Sequence, residues 1–151
     1  MNMYRRILVP VDGSPTSNKA LVAALEMARE GGGRVRLVHV VDELAYLTGF
    51  ETSAIIIDTV RTQARKVATA ALEIANAAGV PAESDVIDRP GDRLGDVVAA
   101  EARKWEADLV VVGTHGRRGF SRALLGSGAE QVIRMAPVPV LVIRGDESGK
   151  E

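Results

Sequence analysis

The sequence predicts an α/β fold, in which helices cover both faces of a doubly wound, five-stranded parallel sheet. Short apolar segments rich in Val, Ile and Leu alternate along the chain with segments whose apolar residues have helical spacing. The chain has 151 residues, of which 46% are hydrophobic and 3% aromatic, so one domain with an aliphatic core is expected. Parallel strands need right-handed crossovers, and five strands are too few for an eight-stranded barrel, so we expect an open sheet.

The first strand and the first helix have the clearest boundaries. Residues 7–11 are apolar without interruption, which is typical of a strand buried on both faces. Ser14 is suited to cap the following helix, Pro15 to occupy its first turn, and the glycines at 31–33 to end it. An apolar stripe on this helix consists of Ala20, Leu21, Ala24, Leu25 and Ala28.

The alternation continues to the end of the domain, which we place at residues 1–145, with a polar tail over 146–151. Further strands are predicted over residues 35–41, 83–87 and 109–112, and the last strand begins at Val138 and ends at Ile143. Further helices are predicted over residues 57–78, from Leu94 to Ala102, and around Val132 and Ile133. Residues 42–56 form either a loop or a helix over the site.

The composition excludes several classes of function. Without cysteine the chain has no disulfide, no Cys-ligated metal and no thiol nucleophile. The 19 basic and 20 acidic residues leave a net charge of −1, which argues against a large electropositive surface for nucleic acid. No segment approaches the roughly 20 apolar residues that span a bilayer. We therefore expect a cytoplasmic protein without nucleic-acid or membrane partners.

Two turns are expected to line a ligand crevice, because such sheets bind ligands beyond the carboxyl ends of their strands. One turn is Pro10-Val11-Asp12-Gly13-Ser14, and the other begins with Gly113 and Gly116. After nine further residues comes Gly126-Ser127, and glycines allow a ligand to approach backbone N–H groups. Ser127 and Glu130 match a capping box, which predicts a helix N-terminus, and hence an anion site, at Ser127.

Arginines lie between the two glycine pairs, at positions 117, 118 and 122. They either donate charge-assisted hydrogen bonds to phosphate or form a solvated basic face. A helix dipole contributes about 0.3–1 kcal/mol, whereas hydrogen bonds to charged groups contribute about 1.5–3 kcal/mol each. Several converging donors must therefore supply the affinity for a phosphate-bearing ligand.

Two other phosphate-binding motifs are excluded. A Walker A loop needs Gly-Lys followed by Ser or Thr, and the chain has no such tripeptide. A dinucleotide fingerprint should follow the first strand. Here Gly126-Ser127-Gly128 follows the fourth strand, and Gln131 stands where the third glycine belongs.

Each candidate residue also has a purely structural interpretation. Asp12 and Ser127 are common capping residues, and Gly113 is common in tight turns. His39 lies within an apolar strand and is predicted to be packed and hydrogen-bonded rather than catalytic. His39 and His115 have no accompanying carboxylate motif, so a metal site made by the protein is not expected. The alternative is a magnesium ion held by the phosphates of the ligand and by water.

The motifs together resemble the ATP-binding subclass of the universal stress protein family. The pattern Gly113-x-x-Gly116, nine residues, Gly126-Ser127 looks like that family's ATP-binding signature. Residues 7–14 resemble its first strand and turn, residues 39–42 the end of its second strand, and residues 137–144 its last strand. The resemblance covers essentially the whole chain and implies a Rossmann-like, adenine nucleotide alpha hydrolase-like fold with strand order 3-2-1-4-5.

The resemblance also implies a role for individual residues. Asp12 would bind the ribose or adenine side of ATP, and the main chain at Val40 would flank adenine. The residues around the ribose and phosphates would be Gly113, His115, Gly116 and Arg117. The full set of implied nucleotide-binding residues is Pro10, Val11, Asp12, Val40, Gly113, His115, Gly116, Arg117, Gly126, Ser127, Gly128 and Ala129.

Three functions follow as hypotheses. The first is an ATP-binding regulator of the stress response, with protein partners that the sequence does not name. The second is a slow ATP hydrolase in which Asp12 or His115 orients water, and the third is an interaction module that binds no nucleotide. The aliphatic last strand, from Val138 to Ile143, is expected to form a sheet edge that pairs with a second copy.

Overall fold

Residues 4–41, 54–115 and 125–145 are described by the computed structural model. Five strands and four helices alternate along them: β1 (Arg6–Pro10), α1 (Pro15–Gly31), β2 (Arg34–Val40), α2 (Ala54–Ala77), β3 (Ala82–Ile87), α3 (Leu94–Trp105), β4 (Leu109–Gly113), α4 (Ser127–Met135) and β5 (Val140–Ile143). The strands are parallel and lie in the order β3-β2-β1-β4-β5. The predicted fold class and strand order are confirmed.

Some element boundaries differ from the predicted ones. α2 begins at Ala54, so the last residues of the unassigned segment 42–56 are helical, while residues 42–53 lie outside the described ranges. β5 begins at Val140 rather than Val138. Pro139 accepts a hydrogen bond from Val110 N at 3.0 Å but has no N–H to return, so the ladder starts one residue later. The predicted tail over 146–151 also lies outside the described residues.

α1 begins and ends at the residues whose chemistry favours a helix terminus. The Ser14 hydroxyl accepts a hydrogen bond from Ser17 N at 3.2 Å, and Pro15 is the first helical residue. At the other end Gly32 adopts a left-handed conformation with φ of 68°, and its N–H donates to Ala28 O. Both predicted caps are confirmed, and they fix the direction in which α1 leaves β1.

The sheet separates two apolar layers. Ile7 and Val9 point to the layer formed with α1 and α2, whereas Leu8 points to the layer formed with α3 and α4. All three side chains are fully buried, because successive residues of a strand face opposite sides and both sides are covered. None of the helices in the described ranges is both long and apolar enough to cross a lipid bilayer.

Charged residues join the edge strand β3 to its neighbours. Arg36 of β2 contacts Glu83 at 2.7 Å and Asp85 at 3.3 Å, both on β3, and Glu101 of α3 at 3.0 Å. Burial opposes the charge of Arg36, but the hydrogen bond and attraction of Glu101, with the other two carboxylates, raise its pKa above the ordinary value.

Candidate functional site

The candidate site lies where the chain order of the sheet reverses. β1 and β4 are adjacent in the sheet, but the chain continues from them toward opposite edges, which makes their carboxyl ends a topological switch point. The predicted residues in the described ranges lie at the ends of β1, β2 and β4 and at the start of α4. The remaining ones, Gly116 and Arg117, lie outside the described residues, as do Arg118 and Arg122.

Asp12 organises the turn between β1 and α1. Its Oδ1 accepts a hydrogen bond from Ser14 N at 2.9 Å, and its own N–H donates to Ser17 Oγ at 3.0 Å. Gly13 follows with φ of 83°, a conformation that glycine adopts without strain. Asp12 thus has the turn-forming role of its structural interpretation, and these bonds fix the direction of its carboxylate at the end of β1.

Both backbone polar groups of Val11 are bound to β2. Val11 N donates to Val38 O at 2.8 Å, and Val11 O accepts a hydrogen bond from His39 Nδ1 at 2.7 Å. The carbonyl oxygen can only accept, so Nδ1 carries the ring proton. His39 is 9% exposed, and the prediction of a packed, hydrogen-bonded histidine is confirmed. The bond nevertheless ties this histidine to the turn at the site.

Gly113 allows α1 to approach the end of β4. A Cβ at this position would lie 2.6 Å from Thr16 Cγ2 and 3.1 Å from Thr16 O. The glycine is therefore required by packing, whether or not a ligand is bound. Because Thr16 belongs to the first turn of α1, this contact places the start of α1 directly against the end of β4.

Thr114, which the sequence did not mark as a site residue, links Gly113 to Gly126. Thr114 O accepts a hydrogen bond from Gly126 N at 2.6 Å, and Thr114 N donates to Ile143 O at 2.9 Å. Its hydroxyl accepts from Gly145 N at 3.1 Å and is joined by a 3.0 Å hydrogen bond to His115 Nδ1. Thr114 therefore connects β4, β5 and the start of α4. Its place directly after β4, beside Gly113, was the only sequence feature that pointed to it.

α4 begins at Ser127, but the predicted capping box is wrong. The N-cap residue is Gly126, Ser127 is the first helical residue, and within the described ranges no side chain caps the helix. The box needs Ser127 at the N-cap and Glu130 at the third helical position, but Glu130 N donates to Gly126 O at 3.0 Å, so the helix begins one residue too early for the pair. Glu130 instead pairs with Arg134 at 3.3 Å along the helix.

The uncapped start of α4 leaves backbone donors without helical partners. The first helical bond runs from Glu130 N to Gly126 O at 3.0 Å, so the N–H groups of Ser127, Gly128 and Ala129 precede it. Ser127 is exposed, whereas the Ala129 side chain is buried in the core. Three N–H groups and one hydroxyl at the positive end of a helix suit an anion.

The N-termini of α1 and α3 are satisfied differently. Ser14 caps α1, and Gln131 Oε1 accepts a hydrogen bond from Gly95 N at 3.0 Å in the first turn of α3. Counting only side chains in the described part of the chain, α4 is the one of these three helices whose start has no side-chain acceptor, and it begins at the switch point. Gln131, which replaces the third glycine of a dinucleotide fingerprint, joins α4 to α3.

The described residues offer no protein-built metal centre. No group of three or more His, Asp or Glu side chains within residues 4–41, 54–115 and 125–145 is arranged to hold a metal ion. A magnesium ion that accompanied a nucleotide here would take its ligands from phosphate oxygens and water.

A separate cavity of about 430 Å³ opens between α2 and β3. Its wall includes the cationic Arg61 and Arg65 together with the anionic Asp85 and Asp88. Because both signs of charge line it, the cavity does not select one class of ligand. It also lies beside the edge strand rather than between β1 and β4.

Known proteins resemble this chain over most of its length. The universal stress protein family matches residues 3–144. Universal stress protein MJ0531 of Methanocaldococcus jannaschii is 32% identical over 145 residues, which are 95% of this chain and 84% of the relative.

Solved structures share the fold. Hypothetical protein MJ0577 superposes with a TM-score of 0.83 at 25% identity and covers 97% of this chain and 99% of its own. The universal stress protein from Archaeoglobus fulgidus in complex with dAMP has a TM-score of 0.69 at 28% identity, with 93% and 98% of the two chains covered. The adenine nucleotide alpha hydrolase-like fold is thereby confirmed.

Proposed function

This chain belongs to the universal stress protein family, and from that membership we propose that it binds ATP and acts as a nucleotide-dependent regulator of the stress response. The observation that carries the proposal is the start of α4. Among the described residues its three N–H donors have no side-chain cap, and they lie beside the end of β4, which the first turn of α1 also contacts. Phosphate is the ligand chemistry that this arrangement suits best.

The proposed ligand lies across the switch point, with its nucleoside and its phosphates bound by different groups of residues. Asp12 and the main chain at Val40 take the nucleoside, beside Pro10 and Val11. The phosphate-binding groups are Gly126, Ser127, Gly128 and Ala129, with Gly113, His115, Gly116 and Arg117 around the ribose and phosphates. The Archaeoglobus fulgidus relative, solved with dAMP, supports an adenine nucleotide as ligand. Any magnesium ion is held by the phosphates and water.

Binding is tested first by titrating magnesium-ATP into the nucleotide-stripped protein in a calorimeter. We expect one site per chain with a micromolar Kd, about −8 kcal/mol. Absence of binding up to millimolar ATP would contradict the proposal. The glycine pattern would then serve packing alone, and an interaction module would become the favoured function.

The role of the helix start is tested by replacing Ser127 with Pro. This change removes one N–H donor from the first helical position, where Pro is well tolerated, and Gly126 already has the extended conformation that precedes Pro, with φ −73° and ψ 162°. Loss of a hydrogen bond to a charged group costs about 1.5–3 kcal/mol. We therefore expect ATP affinity to fall at least tenfold in calorimetry, with little change in the melting temperature.

Ser127→Ala is the matched control for that substitution. It also removes the hydroxyl but keeps the N–H donor, so its ATP affinity should lie between those of wild type and Ser127→Pro. Equal affinities for the Ala and Pro variants would mean that the backbone donor does not bind the ligand.

We further propose that two copies of the domain, residues 1–145, pair through β5 to form a homodimer. β5 is the edge strand next to β4, and Leu141 on it is 37% exposed. An aliphatic edge strand presents unpaired backbone groups to solvent, and pairing with the same strand of a second copy satisfies them with two-fold symmetry.

A further inference from the structure

We propose that His39 is a positioning residue for the nucleoside end of the ligand. The assignment rests on the proposed nucleotide-binding function and adds to it a residue that does not touch the ligand. His39 is adjacent in sequence to Val40, and its ring is bonded to Val11. It therefore connects the two chain segments between which the nucleoside is proposed to lie.

The hydrogen bond from the His39 ring to Val11 O takes the place of strand pairing at the point where β1 ends. The last register pair between β1 and β2 is Pro10 with Val38, and Val11 N donates to Val38 O at 2.8 Å. Val11 O lies beyond that ladder, and the His39 ring donates to it at 2.7 Å. A side chain of β2 thus holds the backbone of the turn in register.

Burial makes this bond important for the position of the turn. Val11 is 4% exposed and His39 is 9% exposed, so water has little access to the carbonyl oxygen if the ring is lost. A buried acceptor without a donor is unfavourable, and the backbone is expected to shift until water reaches it. Asp12 follows directly and is bonded to Ser14 and Ser17, so its carboxylate moves together with the turn.

Two amide substitutions at His39 each supply an N–H donor but place it at different positions. The side-chain nitrogen of His39→Asn falls close to the position of Nδ1, whereas that of His39→Gln reaches the position of Nε2. The full-length variants are titrated with ATP, adenosine and inorganic tripolyphosphate, and their thermal unfolding is recorded. Tripolyphosphate reports on the helix start alone, and adenosine reports on the nucleoside end alone.

We expect His39→Asn to bind all three ligands within about twofold of wild type. His39→Gln should bind ATP and adenosine about tenfold more weakly, about 1.4 kcal/mol, while its affinity for tripolyphosphate stays unchanged. Equal affinities of the two variants for adenosine would overturn the assignment. A parallel loss of adenosine and tripolyphosphate binding would also overturn it, because a general folding defect weakens both.

Wild-type protein gives a second measurement that does not depend on how the variants fold. In nitrogen-edited NMR the His39 ring should carry its proton on Nδ1, and adenosine, but not tripolyphosphate, should slow the exchange of that proton with solvent. A ring protonated only on Nε2, or an unchanged exchange rate with adenosine bound, contradicts the assignment.

If wild type binds no nucleotide, the proposed function fails and the assignment of His39 fails with it. If wild type binds nucleotide but His39→Gln is unaffected, the assignment of His39 alone fails.

Discussion

At the scale of single residues, glycines around the crevice make close contacts with other parts of the same chain. A Cβ at Gly113 would overlap Thr16, and a Cβ at Gly126 would lie 3.0 Å from Thr114 O. These contacts bring the start of α1 and the start of α4 to the end of β4. Gly113 and Gly126 therefore each meet a packing requirement, independently of any ligand.

Gly113→Ala tests this packing requirement. The added methyl group meets Thr16 Cγ2 at 2.6 Å and Thr16 O at 3.1 Å, and overpacking of this kind costs about 1–3 kcal/mol of unfolding free energy in urea denaturation. Thr16→Ser removes the Cγ2 methyl, so the double variant should regain part of the loss. Gly128→Ala is the control, because its Cβ meets only the flexible end of Leu94. A wild-type stability for Gly113→Ala would refute the steric explanation.

At the scale of the elements, β3 is joined to the rest of the fold partly by charge. Arg36 is paired in register with Glu83, and its guanidinium also reaches Asp85 and Glu101. Glu101 is almost fully buried, so its charge depends on Arg36 for compensation. The raised pKa of Arg36 keeps the guanidinium charged at every pH below that pKa. The contribution of its ion pairs to the stability of the fold therefore does not change across the neutral pH range.

Arg36→Met is expected to lower the unfolding free energy by about 3–5 kcal/mol, because it leaves the buried Glu101 carboxylate without its main partner. The measurement is guanidinium denaturation near neutral pH. Adding Glu101→Leu should restore much of the loss, since the uncompensated charge is then removed. Arg103→Met on the exposed side of α3 is the matched control and should change stability by less than about 0.5 kcal/mol. A small effect of Arg36→Met would show that the network contributes little.

At the scale of the whole molecule, the two sheet edges differ in how their backbone groups are used. The carbonyl of Pro139, just before β5, accepts a hydrogen bond from Val110 of β4, and that of Ile143 accepts one from Thr114, just after β4. The alternate residues Val140 and Val142 therefore direct their N–H and C=O groups outward. On β3 the outward N–H of Val86 is bonded to the Asp85 carboxylate at 2.9 Å. The β5 edge is thus the one whose aliphatic surface suits pairing with a second copy.

Val142→Pro tests the proposed dimer. It removes an outward N–H while leaving the ladder to β4 intact, as Pro on an edge strand can do. We expect wild type to elute as a dimer of 16.0 kDa chains in size-exclusion chromatography with light scattering, and the variant to elute as a monomer. Val86→Pro at the opposite edge is the matched control and should remain dimeric. A monomeric wild type would rule out the dimer.

Local sequence patterns were sufficient to predict the elements and their order. These patterns are local, because each involves only a few neighbouring residues and can be read directly from the sequence. They are the apolar run at residues 7–11, the caps at Ser14 and Gly32, and the alternation of strands and helices. The carboxyl-end location of the site follows from the same alternation, because it depends on topology rather than on particular contacts.

The contacts inside the site depended on residues far apart in the chain. His39 meets Val11 across 28 positions and Thr114 meets Gly145 across 31, distances over which no periodic pattern extends. The capping box at Ser127 was wrong because Gly126, whose N–H is bound to Thr114 O, is the N-cap residue, one position before the serine. Hydrophobic periodicity selects which faces of the elements are buried, whereas hydrogen-bond partners are selected by the register and packing that those elements adopt together.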